Sequence, residues 1–271
     1  MQRIVTSRVV LDVTETADLV FAVAVATAYA PASETVSVDL DGAPVEVREL
    51  ADAHGTRLHR VTSRPGRLTL HYAATIDGRV DPSAGSTAGD ADEAELLVYG
   101  RPSRYAESDA LAPTAAAEFV GVDEPADLLA AVSSWVGTRL AYVSGSSLPT
   151  DGATRTLLNR QGVCRDYSHL CIALLRARGI PARLVAVYAP GLDPMDFHAV
   201  AEAWIDGAWR VVDATALAPR STLVRTATGR DAADTAFLNV MSGRADLVEV
   251  EVTATADVLP ADDVTELVSI G

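Results

Sequence analysis

The sequence predicts an α+β protein in two parts: an antiparallel β domain over residues 1–95, then helices packed on an antiparallel sheet over residues 96–271. Two observations carry this. Before about residue 90, ETVSVDLDG, PVEVREL, RLHRVTS and RLTLHYAATIDG alternate apolar and polar residues, are rich in β-branched side chains and are broken by Asp-Gly and Pro-Gly turns. After it, helical patterns come first and extended ones second, the order expected when helices cover a separate antiparallel sheet. With 49% hydrophobic residues in 271, the chain can bury two cores without disulfide staples.

Taken in order, the run LVFAVAVATAYAPA, Leu19 to Ala32, reads as a buried strand, since it is too short for a membrane span and follows Asp12, Glu15 and Asp18. The small, acidic stretch DPSAGSTAGDADEAE, Asp81 to Glu95, reads as an exposed loop. Helices are predicted in ESDALAPTAAAEF and in DEPADLLAAVSSWVGTRL, where Asp123 is the expected N-cap and Pro125 lies in the first turn. GATRTLLNRQG and the cysteine-containing stretch that follows complete the helical run. PARLVAVYA, FHAVAEAWI, AWRVVDAT and LVEVEVTATADVL are the strands that close the second part.

A formal net charge of −15 disfavours nucleic acid and anionic membrane as partners, because both are bound through basic patches. All 22 basic residues are arginine. Two cysteines do not make a secreted-type disulfide framework, and MQRIVTSRVV has neither the basic stretch nor the apolar core of a signal peptide. The expectation is a soluble, cytoplasmic protein.

Both cysteines and a histidine fall in RQGVCRDYSHLCIALLRARGIPARL. Tyr167, Leu170, Cys171, Leu174 and Leu175 lie on one stripe of a helix that Gly179 and Pro181 end. Cys164 sits in its first turn, where unpaired backbone N–H groups and the positive helix end favour a thiolate. Cys171 lies two turns on, roughly 10 Å away by helix rise, too far for a disulfide with Cys164. Among Leu170, Ile172 and Leu174 it reads as a core residue. His169 is rotated by roughly 140° from Cys164 and reads as structural. A zinc site from Cys164, His169, Cys171 and His198 has no recognised ligand spacing, so neither metal nor cofactor is expected.

A better partner for Cys164 lies in DFHAVAEAWIDGAWRVVDAT. Asp206-Gly207 is a two-residue hairpin turn that pairs Ile205 with Ala208, Val200 with Asp213 and His198 with Thr215. Asp213 is then the diagonal neighbour of His198 on one face, close enough to hold its imidazole. A loop one residue longer would turn it to the other face. A thiol at a helix start and a His-Asp pair supply nucleophile, base and orienter.

Those residues resemble the catalytic core of the bacterial transglutaminase-like superfamily, in which Cys, His and Asp occur in this order. RPSRYAESDALAP and LAYVSGSSLPTDGATRTL before the cysteine, and GRDAADTAF after the aspartate, extend the resemblance. The β-rich start is similar to a region that accompanies the core in one bacterial branch. The resemblance implies a papain-like core, with Cys164 as nucleophile, His198 as base and acid, and Asp213 as orienter. The substrate it implies is a peptide or protein amide, attacked to give an acyl-enzyme. Water as acceptor gives hydrolysis, the leading reading of an amidase or peptidase. An amine gives amide transfer, and a non-catalytic binding or scaffold module is the third alternative.

The expected oxyanion donor is the backbone N–H of Cys164, with Gln161 the nearest side-chain amide. Trp204, Tyr188 and Phe197 are the candidate substrate-binding side chains, Trp204 beside the hairpin turn and the other two flanking the loop that leads into His198. Glu202 reads as a rim or structural carboxylate, and Arg230 and Asp231 as an exposed turn.

Overall fold

The computed structural model describes residues 1–80 and 93–271. Its first part is a seven-stranded antiparallel sheet built on β1 (Gln2–Phe21), with β2 (Ser33–Leu40), β3 (Ala43–Pro44), β4 (Arg48–Ala51), β5 (Arg57–Ser63) and β6 (Gly66–Asp77). Alternation puts Val5, Val9, Leu11 and Val13 inside with Leu68, Leu70 and Tyr72 of β6. β1 serves two partners on one edge, β6 along residues 2–13 and β5 along 17–21. Register shifts between Val10 and Leu19 bend it from one to the other.

The apolar run after Asp18 is a strand only as far as Phe21. Residues 22–26 stay buried but leave the sheet, because they pass between the two parts of the molecule. There the Ala22 N–H donates to the Phe237 carbonyl and the Ala26 N–H to the Arg225 carbonyl. Of the expected acidic loop, residues 81–92 lie outside the described residues. Glu93 to Glu95 already belong to α1 (Glu93–Tyr99), so the boundary expected after residue 95 falls within a helix.

The second part has α2 (Ser108–Glu118), α3 (Pro125–Arg139), β7 (Ala141–Tyr142), α4 (Ala153–Asn159), β8 (Gln161–Gly162) and α5 (Cys164–Ala177). Its sheet follows, with β9 (Ala182–Tyr188), β10 (His198–Ile205), β11 (Ala208–Val212) and β12 (Val224–Gly229), in the order β11-β10-β9-β12. α5 is the hub. Leu170, Cys171, Leu174 and Leu175 pack with Leu128, Val132 and Val136 of α3 and with Leu184, Ala201 and Ala203 of the sheet. The α3 cap is Glu124 rather than Asp123, because a proline at the first helical position holds the residue before it extended. Asp123 instead faces Arg178 at 3.8 Å.

The flanking segments that resemble family motifs meet on the far end of α5. The buried Arg176 donates to the carbonyls of Arg101, Ala182 and Arg230 and to Ser103 Oγ. Asp231, expected in an exposed turn, is buried because its carboxylate accepts the Tyr105 N–H, from the segment before α2, and the Ala233 N–H in α6 (Ala232–Thr235). Arg230 does stay at the surface, paired with Asp234 at 2.8 Å.

The last strand, β13 (Leu238–Ala256), was expected with the second part and instead runs along the free edge of β1 from Arg3 to Phe21. At the bend, Gly243 takes φ +75° where a Cβ would collide with the Thr16 carbonyl. Tyr188 and Val224 of the second sheet share the first part's apolar cluster, so the two parts are packed together. Among the described residues no helix is long and apolar enough to cross a membrane.

Candidate active site

Cys164 is the first residue of α5, and the turn before it is held by Asp166. The Asp166 carboxylate, 1% exposed, accepts the Val163 N–H at 2.8 Å and the Ser147 hydroxyl at 2.9 Å. Gly162 makes room for that carboxylate, since a Cβ there would stand 2.6 Å from Asp166 Cβ. The Cys164 side chain is half-buried, whereas Cys171 is fully enclosed and burial pushes its thiol pKa up.

That contrast predicts selective chemistry. Iodoacetamide near neutral pH should alkylate Cys164 at least tenfold faster than Cys171, a ratio set by access and thiolate character. Mass spectrometry of timed samples reads the two sites separately. Equal labelling would remove Cys164 as the distinctive nucleophile.

The hairpin has the register that its turn dictates. Ile205 pairs with Ala208 and Ala201 with Val212, and Asp206 and Gly207 turn with φ of 51° and 75°. The strand ends at Val212, one residue before Asp213, so Thr215 does not pair with His198. Thr215 wraps back instead, donating its N–H and hydroxyl to Asp213 Oδ1 at 3.0 and 2.6 Å. The other Asp213 oxygen lies 2.9 Å from His198 Nε2, with both residues buried.

Burial alone would lower the His198 pKa, but the charge and hydrogen bond of Asp213, helped by Cys164, outweigh it and raise it to about 10. Burial likewise works against the Asp213 carboxylate, and the His198 charge with the His198 and Thr215 hydrogen bonds holds its pKa below the usual carboxylate range. His198 Nδ1 has no hydrogen-bond partner. With Nε2 held by Asp213, Nδ1 is the ring nitrogen left for the thiol.

Other sequence-selected residues are placed differently. Tyr188 is fully buried and hydrogen-bonded to Ser7 Oγ and the Val23 carbonyl, because the first sheet covers it. It offers no surface to a substrate. Phe197 is half-buried, its ring centroid 5.7 Å from Tyr188 and 4.9 Å from Phe237. Trp204 packs edge-on against Trp209 at the hairpin turn, six residues along the strand from His198 and so roughly 20 Å from it. Gln161 is exposed in β8.

Glu202 is not at a rim. It is 1% exposed between two arginines that sequence reading did not connect to it, accepting from Arg183 Nε at 2.9 Å and Arg225 Nη2 at 2.6 Å. His169 is buried, its Nε2 accepts the Ala232 N–H, and burial pushes its pKa down to about 3. Of the four side chains weighed as a zinc site, His169 and Cys171 are fully buried in α5, whereas Cys164 is half-buried and His198 is held by Asp213.

A cysteine at a helix start, and a histidine whose Nε2 is held by a buried aspartate, are groups of the kinds that thiol chemistry on a carbonyl requires. Residues 113–214, which include all three, match the family model of the transglutaminase-like superfamily. The crystal structure of a candidate cysteine protease from Cytophaga hutchinsonii is 31% identical, with a TM-score of 0.86 over 98% of this chain and 96% of that one. The chain belongs to the transglutaminase-like superfamily. An uncharacterised protein of Mycobacterium leprae is 32% identical over 49% of this chain and 52% of its own length. One from Mycobacterium tuberculosis is 34% identical over 61% of this chain and 60% of its own. The chain therefore spans only half to three-fifths of these mycobacterial relatives.

Proposed function

We propose that the protein is a cysteine-dependent amide hydrolase that acts on a peptide or protein amide through an acyl-enzyme at Cys164. The observation that carries this reading is the buried 2.9 Å contact between His198 Nε2 and Asp213, which leaves Nδ1 for the cysteine at the start of α5. Asp213 fixes the ring and stabilises its protonated form.

With the proton held on His198, the sulfur attacks the amide carbon, a C–S bond forms and the carbonyl π pair moves onto oxygen. Collapse breaks the C–N bond, and the leaving amine takes the proton from His198. A raised imidazole pKa keeps that proton in place at neutral pH. Water then gives a proton to His198 as its oxygen attacks the thioester. The C–S bond breaks, its electron pair goes to sulfur, the acid leaves and the water-derived proton stays on His198, which restores the starting state.

The test is turnover of a panel of peptides and glutamine amides, with and without a primary amine, followed by mass spectrometry. Water-derived acid is the expected product. Adducts that form only with the amine would make the reaction transfer, and no turnover alongside retained partner binding would make the chain a binding module.

A further inference from the structure

In the proposed reaction the leaving amine takes its proton from His198, so the part of the substrate that departs must lie beside that ring. The chain places a carboxylate on the same side. Phe197 and His198 are adjacent but turn opposite ways, the Phe197 ring packing with Tyr188 and Phe237 against the first part's apolar cluster while the His198 ring meets Asp213. Side chains alternate in this way along an extended run, so Asp196, one residue before Phe197, falls on the His198 side. Two residues of extended chain set it roughly 7 Å from the base.

Asp196 differs from the other carboxylates of the site. Asp213 is buried and taken up by His198 and Thr215, and Asp166 is buried and taken up by the Val163 N–H and the Ser147 hydroxyl. Asp196 is exposed. One of its oxygens accepts the Phe197 N–H at 2.7 Å, and among the described residues no arginine pairs with the other. Desolvation raises its pKa, while the Phe197 N–H and the charge of His198 oppose the rise. A negative charge with no cation of its own thus stands where the leaving half of the substrate must pass.

We propose that Asp196 is a specificity-determining residue on the leaving-group side of the cleft, where its carboxylate pairs with a cationic group carried by the departing half of the substrate. The assignment rests on the thiol acyl-transfer reading of Cys164 and narrows its substrate class to amides whose leaving amine bears a positive charge, as when lysine or arginine follows the scissile bond. A lysine ammonium on its flexible four-carbon stem can reach past His198 to the carboxylate. Asp196 takes no part in bond making or proton transfer. An ion pair at this exposed position selects among substrates by about fivefold, and added salt weakens it.

Two acyl donors that differ only in the charge of the leaving group read this out. Acetylthiocholine and its uncharged isostere, 3,3-dimethylbutyl thioacetate, carry the same acetyl group and leave as thiols of nearly the same shape. Acid quenching and peptide mass spectrometry give the rate at which each acetylates Cys164. Wild type should prefer acetylthiocholine by about fivefold, less at raised salt, and Asp196→Asn should lose that preference by slowing the cationic donor alone, the neutral one changing by less than about twofold. Equal rates in wild type, or a preference that survives in Asp196→Asn, would overturn the assignment. So would a fall in both rates by the same factor, which would mean that Asp196 acts on His198 rather than on the substrate. Wild-type protein that neither donor acetylates at Cys164 would overturn the functional reading itself, and Asp196 with it.

Discussion

Cys164→Ala is expected to lower amide turnover by about 10³-fold or more while leaving the urea unfolding midpoint close to wild type. The two effects separate because the cysteine is not what builds its own turn. Asp166 and Gly162 shape the start of α5, and the apolar side of the helix is held by Leu170, Cys171, Leu174 and Leu175. A methyl group at a half-buried helix start costs little, but it cannot form a C–S bond. Turnover assays paired with urea titrations check both halves. A variant that keeps its activity would place the chemistry elsewhere.

Glu202→Ala should cost stability rather than chemistry, on the order of 3–5 kcal/mol. The carboxylate is the shared counter-charge of Arg183 and Arg225, whose side chains are 8% and 14% exposed, and deletion leaves two enclosed guanidinium groups facing each other. These residues tie β9, β10 and β12 into one layer, and Arg183 also reaches Glu95 of α1 at 3.2 Å. Burial opposes the Glu202 carboxylate, but the charges of Arg225 and Arg183 overcome it and lower its pKa to about 2. A depressed carboxylate stabilises the fold above its unfolded pKa of ~4.3. That contribution is lost as pH falls from there toward 2. Urea titrations across this window should show a steeper acid loss in wild type than in Glu202→Gln, and parallel curves would contradict the assignment.

What was legible in the sequence follows from how local each signal is. The Asp206-Gly207 turn fixes the hairpin register by itself, so the His198-Asp213 pairing could be read before any tertiary contact was known. Periodicity placed Cys164 at a helix start and Cys171 in the core for the same reason. β13 was recognised as a strand from VEVEVTATA, but alternation does not say which neighbour a strand joins, and the free edge of β1 belongs to residues more than two hundred positions earlier. Tyr188 was misplaced as a cleft residue because only the packing of the first sheet encloses it. The Arg183-Glu202-Arg225 group was hidden because β9, β10 and β12 must first be assembled for the three charges to meet.

The proposed function requires that Cys164 form a covalent acyl-enzyme with the help of His198 and Asp213. It is tested most directly by quenching the protein in acid during reaction with p-nitrophenyl acetate and mapping the adduct by peptide mass spectrometry. One acetyl group on Cys164, released by hydroxylamine, absent from Cys164→Ala and formed at least tenfold more slowly in His198→Ala, is the predicted result. An acetyl group on Cys171 or on a hydroxyl side chain, or the same adduct in Cys164→Ala, would contradict it.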